Sequence, residues 1–480
     1  MSNTITSKLS FKEKVGYSLG DTASHFVWDM VGFWLLYFYV VICGISPVAA
    51  GIIMMIARFW DMAIDPIIGI LTDRTKTRWG KFRPYILFGA IPYAILAVLT
   101  FTSPKWGEWG KIIYAGATYV LLMTAYAFVN LPYSALGAVM TSDTNERAGL
   151  NTYRFIAGFG GQLIVTGFAL TLAEFFGGGD KAQGFQYVLW LFAGLSLVFF
   201  FITFKTTKER VQPPKEQKNS VKEDLKSLFG NQAWVILAIV GIVSFVMFAM
   251  QNASVAFYFK YYLSSEQIAM QGDSLMEKIR LCFTSVEQLR LFLTSVEAFN
   301  VIGTIALIVA LPLSKPLAKR FGNRNVFIGS SIISGIFFMM IYLPGTHDIF
   351  SIYAYNIIAK MAYAPAVPLL WTMIADAADY GEWKKGRRAT GLAFSASVFA
   401  QKAGWGIGAA LAGLILAYYG FNEKIEMQTD EAITGIKLLV SVIPGILYMS
   451  CALFMAFYKL DAKTTNQMKI DLEAKRAEED

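Results

Sequence analysis

Residues 57–87 read ARFWDMAIDPIIGILTDRTKTRWGKFRPYIL. The first half is apolar, yet it carries Arg58, Asp61 and Asp65. These stand at i, i+3 and i+7, so a helix puts them on one face. Between Asp73 and Arg83 the chain turns polar and basic, then becomes apolar again at Pro84. A long apolar run, a short basic loop and a second apolar run make a pair of membrane helices joined on the cytoplasmic side. A charged group at the centre of such a helix costs about 2.5–3.5 kcal/mol on insertion scales. Arg58 balances one acid and leaves a second, so two acids one turn apart point to a cation or proton site; a buried ion-pair network is the structural alternative.

Composition extends this reading to the whole chain. Of 480 residues, 55% are hydrophobic and 16% charged, against about 25% charged in soluble domains. The mean hydropathy is +0.48. The fold class expected is an all-α polytopic membrane protein. Twelve spans are predicted, near 18–43, 47–71, 84–103, 112–139, 153–175, 185–204, 233–262, 295–317, 326–344, 350–375, 390–418 and 437–458. Lipid offers no partner to open backbone groups, so these spans are helices. The N-terminus, every second loop after it and the tail hold most of the 42 Lys and Arg. That bias places both termini in the cytoplasm and the chain in the cytoplasmic (inner) membrane. The first residues, MSNTITSKLSFKEK, have no apolar signal core. The net charge of +8 follows from cytoplasmic loops, so no nucleic-acid partner is expected. Three Cys and two His form no metal or disulfide spacing. GxxxxGK[ST] and HExxH are absent. An enzyme is not expected, nor a bound cofactor, and transport would draw on an ion gradient.

The segment 205–229, KTTKERVQPPKEQKNSVKEDLKSLF, splits six spans from six. The expected organisation is a six-helix bundle over 1–204, a cytoplasmic linker over 205–230, a second bundle over 231–460 and a tail over 461–480. The loop after span 2 resembles the one after span 8, LAKRFGNRNVFI, with Arg74/Arg320 and Arg78/Arg324 at equal spacing. SDTNERAGLNTYR after span 4 has its counterpart in ADYGEWKKGRRATGLAF after span 10. Repeated halves suit a carrier that rocks one half against the other. The external loop 263–294 carries RLCFTSVE, and RLFLTSVE follows ten residues later. It reads as a duplicated external helix, or as a lid at the outer mouth.

Other polar residues lie inside spans. Asp21, His25 and Asp29 fall at i, i+4 and i+8 of span 1. Asp21 is expected to cap that helix near the surface, with His25 and Asp29 deeper. Span 4 offers Tyr126, Asn130 and Tyr133, and span 5 opens on Tyr153-Arg154. Lys402 in span 11 is a counter-charge for the span 2 acids.

The stretch quoted above, with GYSLGD (16–21), NLPYSALGAVM (130–140), TYRF (152–155) and MIADAADYGEWKKGRRATG (373–391), closely resembles the glycoside–pentoside–hexuronide:cation symporters. That family is a branch of the major facilitator superfamily, typified by the melibiose permease. The resemblance implies twelve helices in two six-helix bundles, and uptake of a sugar or glycoside with Na⁺, Li⁺ or H⁺ by alternating access. It implies that Asp61 and Asp65 take the cation, with Lys402 facing them. It places Arg154 and Tyr126 near the sugar, and reads Asp73, Arg78, Asp143, Arg147, Asp379 and Arg388 as cytoplasmic gate charges. Two departures matter. His25 and Asn130 stand where the melibiose permease holds sugar hydroxyls with aspartates; with Arg154, they point to a pocket tolerant of a carboxylate, such as a uronic acid, against which stands Asp29, able to repel a carboxylate or to hold sugar hydroxyls instead. Ile64 and Ala127 stand where Na⁺-coupled members carry Asn and Thr. Both remove oxygen ligands, so H⁺ coupling is expected, because a proton needs one carboxylate with a raised pKa. The partners expected are a small sugar, the coupling ion and membrane lipid, around a monomer. A lipid or lysolipid carrier of the same fold is the alternative, and predicts an amphipathic lateral opening; a non-transporting sensor is the other.

Overall fold

Ser10 starts the first helix with a capping box: its hydroxyl accepts from the Glu13 N–H, and the Glu13 carboxylate accepts from the Ser10 N–H. The helix therefore begins at Phe11, well before the apolar run that announces it. The computed structural model describes residues 9–141, 144–210, 228–263, 295–385, 390–460, 464–468 and 470–472. Among these there is no strand, only an isolated bridge between Thr77 and Gly80.

The chain divides into two units, Met1–Lys215 with Phe421–Glu426, and Glu216–Gly420 with Met427–Asp480. The first unit holds α1 (Phe11–Asp29), α2 (Pro47–Arg74), α3 (Arg83–Thr100), α4 (Glu108–Met140), α5 (Thr144–Gly177) and α6 (Lys181–Thr206). The second holds α7 (Gln232–Phe257), α8 (Val296–Ala310, prolonged by Leu311–Leu313 and Ser314–Phe321), α9 (Asn323–Met340), α10 (Ile349–Tyr363 with Ala366–Lys385), α11 (Thr390–Tyr418) and α12 (Asp430–Val440 with Val442–Ala456).

Eleven helical stretches of the described residues are long and apolar enough to cross a membrane. The protein is thus an all-helical, multi-pass membrane protein. α9 is not among the eleven, because its first turn, Asn323-Arg324-Asn325, dilutes its apolar run. Large apolar side chains such as Ile67, Phe88, Ile91 and Phe201 stay exposed, as helices facing acyl chains require.

Within the first unit α1 packs on α5 and α6, α4 on α2 and α3, and α3 on α6. Within the second, α7 packs on α11 and α12, α10 on α8 and α9, and α9 on α12. Each pairing recurs six helices later, so the repeat seen in the loops is also a repeat of packing. Small residues set the close approaches. A Cβ on Gly408 of α11 would lie 2.3 Å from the Val246 carbonyl oxygen of α7.

π-helical turns follow both α1 and α7. They cover Met30–Trp34 and Phe38–Ile42 after α1, and Tyr258–Leu263 after α7. Such turns interrupt the α register and recur at functional sites.

Candidate functional site

The early start of α1 puts Asp21 in its third turn, 6% exposed, and Ser10 does the capping. The expectation that Asp21 caps the helix is corrected by that boundary. Asp21 instead faces α5. Arg154 Nε donates to Asp21 Oδ1 at 2.9 Å. One turn on, His25 Nε2 stands 3.8 Å from Asp21 Oδ2, while Nδ1 lies 2.9 Å from Asp29 Oδ2. Spacing by four stacks these three side chains on one face. Thr22 ties the two helices by donating to the Ala157 carbonyl at 2.9 Å.

The contact depends on Gly158. A Cβ there would lie 2.6 Å from Asp21 Oδ2 and 2.9 Å from His25 Nε2. Glycine lets the α5 backbone reach the polar face of α1. The Asp21 and Asp29 side chains are 9% and 6% exposed, whereas those of His25 and Arg154 are 31% and 26%. The cationic groups thus meet open space, and each already holds a buried carboxylate. Two acids surround one guanidinium and one imidazole, so the group offers N–H donors without a net positive field.

A second set of contacts links this group to α2. Arg58, 3% exposed, places its guanidinium 4.0 Å from the centre of the Trp28 ring, a cation–π geometry. Trp28 stacks on Tyr126 of α4 at 4.7 Å, and Tyr126 meets Tyr93 at 6.0 Å. The Tyr93 hydroxyl donates to the Ser24 carbonyl at 3.1 Å. Asp61 is fully buried one turn from Arg58, and Asp65 is half-buried one turn further. Trp28 lies on α1 between His25 and Asp29, so one ring joins the acid-bearing face of α2 to the polar face of α1.

The structure therefore brings His25, Asp29, Tyr126 and Arg154 into one neighbourhood of the first unit, with Arg58 as the link to Asp61. Asn130 is half-buried one turn from Tyr126 on α4. Lys402 is half-buried on α11 of the second unit. Of the gate charges, Arg78 is exposed, its guanidinium 4.5 Å from the centre of the Trp79 ring. Asp379 is half-buried on α10. Asp73 and Arg147 are placed on α2 and α5 by their backbones. Asp143 and Arg388 lie outside the described residues, as does the loop from 264 to 294.

Two contributors escaped the sequence reading as site residues. Asp21 was legible from its spacing to His25, once Ser10 and Glu13 are recognised as a helix start. Trp28 had no signal beyond lying between two polar positions, because aromatic residues are plentiful along every span.

These features define a membrane carrier class: two similar helical halves, with buried charges linked to an aromatic-lined polar face. The family model described as MFS/sugar transport protein matches residues 16–272 and 284–462. The chain belongs to that family, within the major facilitator superfamily. It is 32% identical over 466 residues to the inner membrane symporter YicJ of Escherichia coli (strain K12), covering 97% of this chain and 95% of that protein. It is 32% identical over 474 residues to the isoprimeverose transporter of Lactiplantibacillus pentosus, covering 98% and 92%. The crystal structure of a D-xylose–proton symporter superposes with a TM-score of 0.62 at 14% identity, covering 95% of this chain and 99% of that one. That likeness is one of fold.

Proposed function

We propose that this protein is a proton-coupled symporter of a neutral glycoside, working by alternating access in the inner membrane with both termini cytoplasmic. Twelve spans in two six-helix bundles, joined by the linker 205–230, form the working unit. One observation carries the reading: the buried acid face of α2 is joined through Arg58, Trp28 and Tyr126 to the polar face of α1 and α5. Occupancy of one can thereby be felt at the other.

In this cycle a proton loads on Asp61 or Asp65 and neutralises the site, with Lys402 as the facing cation. A sugar binds against His25, Asp29, Tyr126, Asn130 and Arg154, its C–H face on the Trp28 and Tyr126 rings. Neutralisation lowers the cost of closing around buried acids, so the loaded carrier changes orientation more readily than the half-loaded one. Asp73, Arg78, Asp143, Arg147, Asp379 and Arg388 serve as the charges of the cytoplasmic gate. Ile64 and Ala127 withhold the oxygens that Na⁺ needs, which favours H⁺ as the coupling ion.

Neutral substrate is favoured over the carboxylate expected from the sequence, because His25 and Arg154 both already hold carboxylates. The relative named for isoprimeverose transport agrees with a glycoside. Uptake into reconstituted vesicles tests the reading. A labelled neutral β-glycoside should accumulate under an imposed H⁺ gradient, and Asp61→Asn should abolish that accumulation. Accumulation of a glucuronide alone would refute the substrate, and Na⁺-driven uptake at fixed pH would refute the ion.

A further inference from the structure

The segment that follows α2 alternates. Arg74, Lys76 and Arg78 are exposed and make no ion pair among the described residues, while the intervening Thr75, Thr77 and Trp79 turn toward a groove. Arg74 ends α2, and residues 77–80 form a tight turn closed by the Gly80 N–H on the Thr77 carbonyl at 3.1 Å, so the three cations share a short helix-to-turn connection. The groove has a volume of about 600 Å³ and continues along α3 and α4 between Tyr85, Phe88, Pro92 and Leu96 on one side and Leu121 and Phe128 on the other. From Tyr85 to Leu96, at 1.5 Å per residue, it runs roughly 16 Å, the length of a fatty acyl chain. Its walls are mostly apolar, and the hydroxyls of Thr75, Thr77 and Tyr85 lie at the basic end, with Thr124 further along. There Thr75 Oγ1 and the Tyr85 hydroxyl are 2.6 Å apart. The nearby Glu209 points its carboxylate at the backbone N–H groups of Lys81, Phe82 and Arg83, at 2.8, 2.8 and 3.1 Å, rather than at the three cations.

We infer that this groove is a binding site for an anionic diacyl phospholipid, one acyl chain lying between α3 and α4 and the phosphate meeting Arg74, Lys76 and Arg78. The occupant follows from charge and shape together. Three basic side chains within five residues favour an anionic headgroup over a zwitterionic one, and a narrow apolar slot on a spanning helix admits an acyl chain and little else. None of the buried charges lines the groove. The phospholipid is a resident ligand and the sugar remains the cargo.

Native mass spectrometry of the full chain in a non-ionic detergent tests this. The protein is offered equal amounts of phosphatidylglycerol and phosphatidylcholine with identical acyl chains. One phosphatidylglycerol should be retained in preference. Neutralising any one cation to Gln should weaken that preference roughly fivefold, since each basic side chain near anionic lipid is worth about 1 kcal/mol. In R74Q/K76Q/R78Q the two lipids should bind alike. Leu96→Trp fills the slot from the other end and should release the tightly held lipid with the cations intact. The two variants alter different ends, so a folding failure in one leaves the other decisive, and the binding readout stands apart from substrate and ion. Equal retention of both lipids by the parent protein, or either folded variant behaving like it, would overturn the proposal. So would movement of labelled lysophospholipid into vesicles, which would make the groove a cargo path.

Discussion

Arg154 sits where an unpaired guanidinium would be expensive, and Asp21 offsets that cost. Removing the carboxylate leaves a mostly buried cation behind. Breaking a fully buried pair costs 3–5 kcal/mol; with Arg154 about a quarter exposed, Asp21→Asn is expected to cost roughly 2 kcal/mol. Thermal unfolding in detergent should show that loss, with sugar uptake lost as well. Asp21→Asn/Arg154→Gln should regain stability but not uptake, because the donor to the sugar is gone. Recovery of uptake in the double variant would mean that the pair only holds α1 to α5. The ion choice is also decided by single residues. Ile64→Asn with Ala127→Thr restores two oxygens beside Asp61 and Asp65. Na⁺ should then stimulate uptake at fixed pH, which flux measurements in NaCl and choline chloride would reveal. The acids of α2 were legible from the sequence because charge in an apolar run is rare. The partner of Arg154 was not, because a salt bridge 133 residues long in sequence leaves no local trace.

At the level of elements, the site depends on how closely α5 approaches α1. Gly158 permits that approach, whereas a Cβ on Gly160, two residues away, would meet open space. Gly158→Ala must push Asp21 or His25 aside or lift the helix. A displacement near 1 Å can cost up to about a hundredfold in efficiency, so kcat/KM for uptake is expected to fall by about tenfold or more. Gly160→Ala should be near neutral and serves as the control. Equal effects would point to general helix loosening. Helix existence was readable here from apolar length, but α1's true start was not. The first two turns, Phe11–Ser18, are mixed in polarity, and only the Ser10–Glu13 box marks them. The π turns after Asp29 and Phe257 were also unreadable, because they arise where packing overrides the α register, and no residue type encodes them.

The whole molecule repeats a tie at the end of each half. Arg83, the first residue of α3, donates through Nε to the Phe204 carbonyl near the end of α6 at 3.2 Å. Arg324, in the first turn of α9, donates through Nε to the Met455 carbonyl near the end of α12 at 3.2 Å. The loops alone pair Arg324 with Arg78, whereas the contacts pair it with Arg83. Sequence spacing across loops slips where one loop is longer, and the carbonyl ends of α6 and α12 fix the equivalence. Each arginine caps orphan carbonyls that a helix end leaves open and so fastens the third helix of its half to the sixth. A charged hydrogen bond of this kind is worth about 1.5–3 kcal/mol, less where the side chain is part-exposed. Arg83→Leu and Arg324→Leu should therefore each lower the melting temperature by several degrees. The two ties share no partner, so their effects should add to within about 0.5 kcal/mol in the double variant. Differential scanning fluorimetry on the four proteins checks this. A double variant no worse than the weaker single would show that one half alone sets the melting temperature. Additive losses would show that the halves unfold as one cooperative unit, as a carrier whose states are set by both halves needs to do.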